Sequence, residues 1–210
     1  MIIPDQISPQ EIAVILRELS AALMADGDVV ELGCYAGQTS VELAKTLRDF
    51  SAKFAGKKTD ENANKNSDEK KKLWLYDSFK GLPEKSAKDI SVLGADFKTG
   101  ELFVAKADVV RRFKSANLPM PNIKKAWFSN LTTNDLPEKI CFAFLDGDYY
   151  ESIRDSFKLI EKKMTDGSVI IVDDYDNDAL PGAKKAVDEW LAKNPENKLR
   201  VVQSLAIIKV

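Results

Sequence analysis

The chain has 210 residues, a formal net charge of -2 and no histidine. That length lies at the upper end of one domain, 44% hydrophobic residues suffice for a sizeable core, and the near-neutral charge gives no basic footprint for nucleic acid. The missing histidine excludes a Ser-His-Asp triad, an imidazole general base and a His-bound zinc or iron site, so any metal must be held by oxygen or by at most two thiolates, Cys34 and Cys141.

No apolar run approaches the roughly 20 residues needed to cross a bilayer. The opening stretch "MIIPDQISPQE" lacks the basic and apolar regions of a signal peptide. Two cysteines in apolar surroundings do not make a disulfide framework. The expectation is a cytoplasmic chain in a reducing compartment.

Residues 8–25 carry Ile12, Ile15, Leu16, Leu19 and Leu23 at the spacing of an amphipathic helix. Ser8 is placed to cap it, with Pro9 at the first helical position and Glu11 completing a capping box. "DGDVVELG" reads as a turn and a short buried strand, and residues 38–50 as a helix. Residues 53–72, "KFAGKKTDENANKNSDEKKK", have almost no apolar side chains, as expected of a solvated, mobile insertion. "LWLYDSF" is a second strand, residues 81–100 a loop with some helix, and residues 100–116 a helix. "NIKKAWF" and "ICFAFLD" give a third and a fourth strand, residues 149–164 a helix, "SVIIVDD" a fifth strand and residues 181–193 a helix. "KLRVVQSLAIIKV" reads as two closing strands in a hairpin. No repeat or boundary interrupts this order, so residues 1–210 read as one domain.

Strands alternating with helices at this spacing predict an α/β fold: a doubly wound, mostly parallel sheet covered on both faces, with a C-terminal antiparallel edge hairpin. The near-continuous apolar run "VIIV" agrees with burial on both faces. In such sheets, ligands bind beyond the carboxyl ends of the strands. Glu31, Asp77, Asp146, Asp173 and Asp174 all fall there.

In "VVELGCYAGQTS", Gly33 and Gly37 permit a tight turn and close backbone approach to a ligand. A plain strand-to-helix turn is the alternative. The spacing is Gly-x-x-x-Gly, unlike the G-x-G-x-x-G of dinucleotide sites. An acid at Glu31 would oppose a pyrophosphate held on a helix N-terminus. S-adenosylmethionine, with an ammonium and a sulfonium, suits it better. Asp77 can accept from both ribose hydroxyls, or serve as a cap or turn residue. Trp127 and Phe128, expected at the end of the third strand, offer an adenine ring a flat apolar wall, or simply pack in the core.

Asp148 and Glu151 have the spacing of a helix N-cap and its N3 acid. Asp146 has no such role. Asp173 and Asp174 end what reads as the neighbouring strand, about 4.8 Å away in a parallel sheet. Carboxylates that converge repel unless their pKa values rise or a cation neutralises them. An all-oxygen set suits Mg²⁺, Ca²⁺ or Mn²⁺; aspartates fanned into water, the expectation for Asp176 and Asp178, are the alternative.

The motifs "ELGCYAGQTS", "YDSFKGLPE", "WFSNLTTNDLP", "FLDGDYYES", "DGSVIIVDDY" and "LPGAKKAVDEW" occur in that order over about residues 31–190. Together they resemble the macrocin and mycinamicin sugar O-methyltransferases, a metal-dependent class I methyltransferase family. The resemblance implies a seven-stranded methyltransferase fold and methyl transfer from S-adenosylmethionine to a hydroxyl of a sugar, diol or phenol, assisted by Mg²⁺. It implies that Glu31, Gly33, Tyr35 and Gly37 frame the methionine end of the cofactor, with Thr39 beside them. Asp77 would hold the ribose, with Ser78 and Phe79 adjacent, and Trp127 and Phe128 would lie near the adenine. Asp146, Asp173 and Asp174 match the family's magnesium ligands, Asp146 and Asp148 are the candidate catalytic carboxylates, and residues 80–116 correspond to a lid. The implied partner is a small-molecule acceptor, with no nucleic acid or membrane, for a monomer or homodimer.

Two departures stand out. The sugar-modifying members use a histidine base and carry a longer N-terminal segment, whereas this chain has no histidine and about 30 residues before Glu31. Compact catechol methyltransferases place a lysine where Tyr149 stands. Proton removal then falls to Asp148, to a lysine such as Lys80 or Lys184, or to the metal site. The rival reading is a methyltransferase-like domain that holds a nucleoside or a protein without chemistry. A nicotinamide-dependent oxidoreductase is disfavoured by the glycine spacing.

Overall fold

The Ser8 hydroxyl accepts from the Glu11 backbone N–H at 3.2 Å, and the Glu11 carboxylate accepts from the Ser8 N–H at 2.9 Å. This reciprocal capping box, with Pro9 at the first position, starts helix α1, Pro9–Ala22, as the sequence predicts. The computed structural model describes residues 7–54, 70–94 and 97–210. Most of the polar stretch 53–72 therefore lies outside the described residues.

After α1 come β1 (Asp28–Leu32), α2 (Gln38–Phe54), β2 (Leu73–Asp77), α3 (Lys106–Ser115), β3 (Asn122–Lys125) and β4 (Ile140–Leu145). Then follow α4 (Tyr150–Ile160), β5 (Met164–Val172), α5 (Pro181–Leu191), β6 (Lys198–Val202) and β7 (Leu205–Lys209). The sheet order is β3-β2-β1-β4-β5-β7-β6. The first five strands in that order pair parallel. The closing hairpin inserts β7 antiparallel beside β5 and leaves β6 at the edge. This is the mostly parallel, seven-stranded sheet with a terminal hairpin that the sequence predicts.

Two apolar cores follow from the two-residue period of the strands. Phe142, Phe144, Val169 and Ile171 face α1, α2 and α3, packing with Leu19, Leu43 and Phe113. Ala143, Leu145, Ile170 and Val172 face α4 and α5, packing with Ile153, Phe157 and Val187. The chain winds to one side from β1 and to the other from β4, so the seam between these adjacent strands is the topological switch point.

Three expectations about elements are corrected. The helix expected over 149–164 ends at Ile160, and Met164 opens β5 because it pairs with Ile140 of β4. The helix expected over 100–116 begins only at Lys106. Leu82 N–H donates to Glu101 O and Gly100 N–H to Leu82 O, which ties the preceding segment to the loop after β2 instead. The third strand stops at Lys125, opposite the last residue of β2. Trp127 and Phe128 thus leave the sheet into a 3-10 turn, Phe128–Asn130. Within residues 80–116, α3 is a core element, with Val109 and Phe113 fully buried.

Candidate active site

The ladder of the sheet runs one residue past each central strand: Asp146 N–H donates to Leu32 O at 2.8 Å, and Asp173 N–H to Leu145 O at 2.9 Å. This fixes where the acids stand. Gly33, the residue after β1, has φ +98°, and a Cβ on it would lie 1.8 Å from the Asp146 carbonyl oxygen. The glycine loop and the acidic loop therefore touch at the switch point, and only a residue without a side chain permits it.

Glu31 is almost wholly buried in β1 and accepts from the Ser40 hydroxyl at 2.5 Å. Burial, with a smaller contribution from the charge of Asp77, pushes its carboxyl up to about 8 despite that hydrogen bond. A buried acid of this kind either keeps its proton or takes a cationic partner. Asp77 braces the glycine loop. Its Oδ2 accepts from the Cys34 and Tyr35 N–H groups at 3.1 and 3.0 Å, and its Oδ1 from Phe79 N–H at 2.7 Å. The turn role is thus real, and Asp77 also faces the cleft.

The cleft has a volume of about 240 Å³. Glu31, Gly33, Tyr35, Thr39, Asp77, Ser78, Trp127 and Phe128 line it together with Asp146, Asp148, Asp173 and Asp174. Two expected cofactor residues do not line it. Gly37, at φ +77°, turns the chain against Val109, and Phe79 is buried in the core. Cys34 lines the cleft, but burial, then Asp77 and Glu31, push its thiol well above the usual range, so it offers no thiolate.

Carboxylate oxygens of Asp146, Asp148 and Asp174 all lie within 4.8 Å of one another. Asp148 therefore stands where the sequence placed Asp173 among the prospective ligands. Its expected cap is a correction. Helix α4 starts one residue later than that spacing requires, Tyr149 is the N-cap and makes no side-chain cap bond, and Asp148 adopts φ +58°. That backbone turns its carboxylate toward Asp146. Asp173 stays nearby, accepting from the Ser204 hydroxyl at 3.3 Å.

Like charge at this density has the expected effect. Burial first, then Asp173, Asp148 and Asp174, raise Asp146 well above the carboxylate range. Burial, Asp174 and Asp173 do the same to Asp148. Burial and Asp174 push Asp173 to about 7. An all-oxygen donor set whose charges are uncompensated fits a hard divalent cation.

Sequence reading missed Ser40, the partner of Glu31, and Asn177, whose amide donates to Asp174 Oδ1 at 2.7 Å. It also missed the apolar wall of Leu82, Phe97, Leu102 and Leu180. Asn177 follows Asp174 by three residues, a spacing that signals a local side-chain contact. Lys184 donates to the Tyr175 hydroxyl at 2.8 Å and does not line the cleft, and neither does Lys80.

The acids set a pH dependence. Glu31 and Asp173 have folded values of about 8 and 7 against ordinary values of 4.5 and 3.8. The folded chain holds more protons than the unfolded one between those limits, so this stability is full below about pH 4 and is lost as pH rises toward 8. Without added cation or nucleoside, the melting temperature is expected to fall by several degrees from pH 5 to pH 8, at about 2–4 °C per kcal/mol. Glu31→Gln should flatten that slope. A flat profile in the unaltered chain would contradict the assignment.

Sheet order, switch-point glycine and acids at the strand ends together define the Rossmann-like class I methyltransferase architecture. The solved O-methyltransferase NovP shares it, with a TM-score of 0.80 at 23% identity, over 98% of this chain and 81% of that one. The macrocin O-methyltransferase (TylF) family model matches residues 15–201, and the chain belongs to that family. Two curated relatives are similar to it. One is the 8-demethyl-8-(2,3-dimethoxy-alpha-L-rhamnosyl)-tetracenomycin-C 4'-O-methyltransferase of Streptomyces olivaceus, 27% identical over 169 residues, 78% of this chain and 58% of that protein. The other is the demethyldecarbamoylnovobiocin O-methyltransferase of Streptomyces niveus, 26% identical over 180 residues, 80% of this chain and 59% of that protein. The chain spans less than two thirds of the length of either. Among the described residues, no helix is long and apolar enough to cross a membrane.

Proposed function

We propose that the chain is an S-adenosylmethionine-dependent O-methyltransferase acting on a hydroxyl of an uncharged small molecule, with help from Mg²⁺ or a similar cation. One observation carries this reading: the glycine loop of β1 and the group Asp146, Asp148 and Asp174 open into the same cleft. Family membership supports it.

When bound, S-adenosylmethionine supplies an electrophilic methyl and the cation supplies a Lewis acid that lowers a hydroxyl's pKa. Glu31 and the Gly33 loop hold the cationic amino-acid end. Asp77 accepts from the ribose, and Trp127 and Phe128 bound the base. Asp146, Asp148 and Asp174 hold the cation. Proton removal falls to a carboxylate oxygen of this group that the cation would leave free, with the second oxygen of Asp148 the candidate. Holding both reactants in register supplies much of the rate gain.

The lining also bears on the acceptor. Its charged residues, among the described ones, are Glu31, Asp77, Asp146, Asp148, Asp173 and Asp174, with no lysine or arginine. No protein cation in that lining pairs with a phosphate. The wall of Leu82, Phe97, Leu102 and Leu180 suits an apolar body. The acceptor class is therefore a neutral diol, phenol or glycoside bearing adjacent oxygens on an apolar frame.

The test is transfer of labelled methyl to a panel of vicinal diols, phenols and glycosides, with Mg²⁺ and with excess EDTA. Turnover is expected with Mg²⁺, a loss of about 100-fold or more on chelation, and recovery on readdition. A phosphorylated form of an accepted substrate should show kcat/KM lower by about 10-fold, a difference of about 1.4 kcal/mol. Full activity in EDTA would remove the cation from the account. Nucleoside binding without transfer to any acceptor would favour a nucleoside-holding domain instead.

A further inference from the structure

Two helices follow the two acidic loops, and neither caps itself. The N-cap residues of α4 and α5, Tyr149 and Leu180, make no side-chain cap bond. Asp89, 61 residues upstream of Tyr150, supplies the missing acceptor to α4 and packs against the first turn of α5. Its Oδ1 accepts from the Tyr150 N–H at 2.7 Å. The same oxygen sits 1.8 Å from where a Cβ on Gly182, in the first turn of α5, would stand. Asp89 is almost wholly buried, and its other oxygen accepts from the Ser86 N–H and hydroxyl at 3.0 and 2.6 Å.

The strap carrying Asp89 is fastened to the start of α4, to the β5–α5 loop and to α5. On the side of the β5–α5 loop, the Ser91 hydroxyl donates to Asp178 O at 2.5 Å. On α5, Lys185 donates to Lys88 O at 2.6 Å, and Lys88 pairs with Glu189 at 2.7 Å. Two prospective ligands need such restraint. Asp148 and Asp174 sit at φ +58° and +56°, a region that non-glycine residues keep only when their surroundings hold them there.

We infer that Asp89 is a positioning residue: it clamps the N-termini of α4 and α5 together and so sets the spacing of Asp148 and Asp174 on the cation. This rests on the reading above that Asp146, Asp148 and Asp174 hold a divalent cation. Groups hydrogen-bonded directly to metal ligands typically cost about 10–100-fold in metal binding when lost; Asp89 acts one step further back, through Tyr150, so its loss belongs at the lower end of that range.

The experiment is calorimetric titration of Mn²⁺ and of S-adenosylhomocysteine into the full chain and its variants, at a temperature where circular dichroism shows each folded. Asp89→Ala should weaken Mn²⁺ by about 10-fold or more and leave S-adenosylhomocysteine within about twofold. Asp89→Asn keeps an acceptor for Tyr150 but turns an amide donor toward the Ser86 N–H, so it should restore part of the affinity. If Asp89→Ala does not fold, Ser91→Ala, which loosens the strap from the β5–α5 loop, should weaken Mn²⁺ in the same direction by a smaller factor. Equal Mn²⁺ affinity in the unaltered chain and in the folded variants would overturn the clamp while leaving the cation site standing. A loss shared equally by Mn²⁺ and S-adenosylhomocysteine would also overturn it, as general loosening. No Mn²⁺ binding by the unaltered chain would overturn the cation reading and the clamp together.

Discussion

Gly33→Ala is expected to abolish nucleoside binding and to lower the melting temperature by about 6–12 °C. The backbone at +98° is in a region that alanine enters only with strain, about 1–3 kcal/mol. The added Cβ would also stand 1.8 Å from the Asp146 carbonyl oxygen and 2.6 Å from its carbon. Neither neighbour is the flexible end of a side chain; both are main chain fixed by the sheet ladder. Relief requires β1 and β4 to part at their carboxyl ends, where the cofactor and the cation are proposed to meet. A combined cost of about 3 kcal/mol or more gives the stated shift at about 2–4 °C per kcal/mol. Gly100→Ala is the control. Gly100 has φ +86° but nothing within 4 Å of a new Cβ, so it should cost only the backbone strain, about 1 kcal/mol. Differential scanning calorimetry of the two variants and binding of S-adenosylhomocysteine check both parts.

Asp146→Asn should abolish cation-dependent turnover while sparing the nucleoside. Asp146 is raised by burial and by four neighbouring acids, so replacing it with a neutral isostere relieves repulsion in the cation-free chain. The melting temperature without cation should therefore hold or rise, even as Mn²⁺ affinity drops by about 100-fold. A merely structural aspartate would show the opposite sign in stability. Asp148→Asn should follow the same pattern. Asp173→Asn should weaken Mn²⁺ less, because Asp173 lies outside the converging group and is partly engaged by Ser204. If Asp173→Asn removed cation binding while Asp148→Asn retained it, the geometric assignment would be wrong.

Much of this architecture is legible in the sequence because the signals are local. The Ser8–Glu11 capping box spans four residues, the two-sided burial of β4 and β5 shows as continuous apolar runs, and the acids at strand ends follow from counting to where those runs stop. The misreadings share a physical cause, a partner distant in the chain. Asp148 carries the local spacing of a cap, but that cap comes from Asp89, 61 residues away. Trp127 and Phe128 extend an apolar-looking strand, yet β2 gives them no ladder beyond Asp77. Phe79 follows a cofactor-like motif and is consumed by the core. The split between Asp148 and Asp173 depends on a left-handed backbone that residue type only permits and tertiary packing selects.

The central claim is that one cleft gathers acids from adjacent strands because a methyl-donor nucleoside and a hard cation share it. The direct measurement is anomalous diffraction from crystals of the chain soaked with Mn²⁺ and S-adenosylhomocysteine. The account predicts a manganese peak bounded by Asp146, Asp148 and Asp174, with the nucleoside over Gly33 and its ammonium toward Glu31. A manganese peak elsewhere, or a nucleoside seated away from the Gly33 loop, would contradict it.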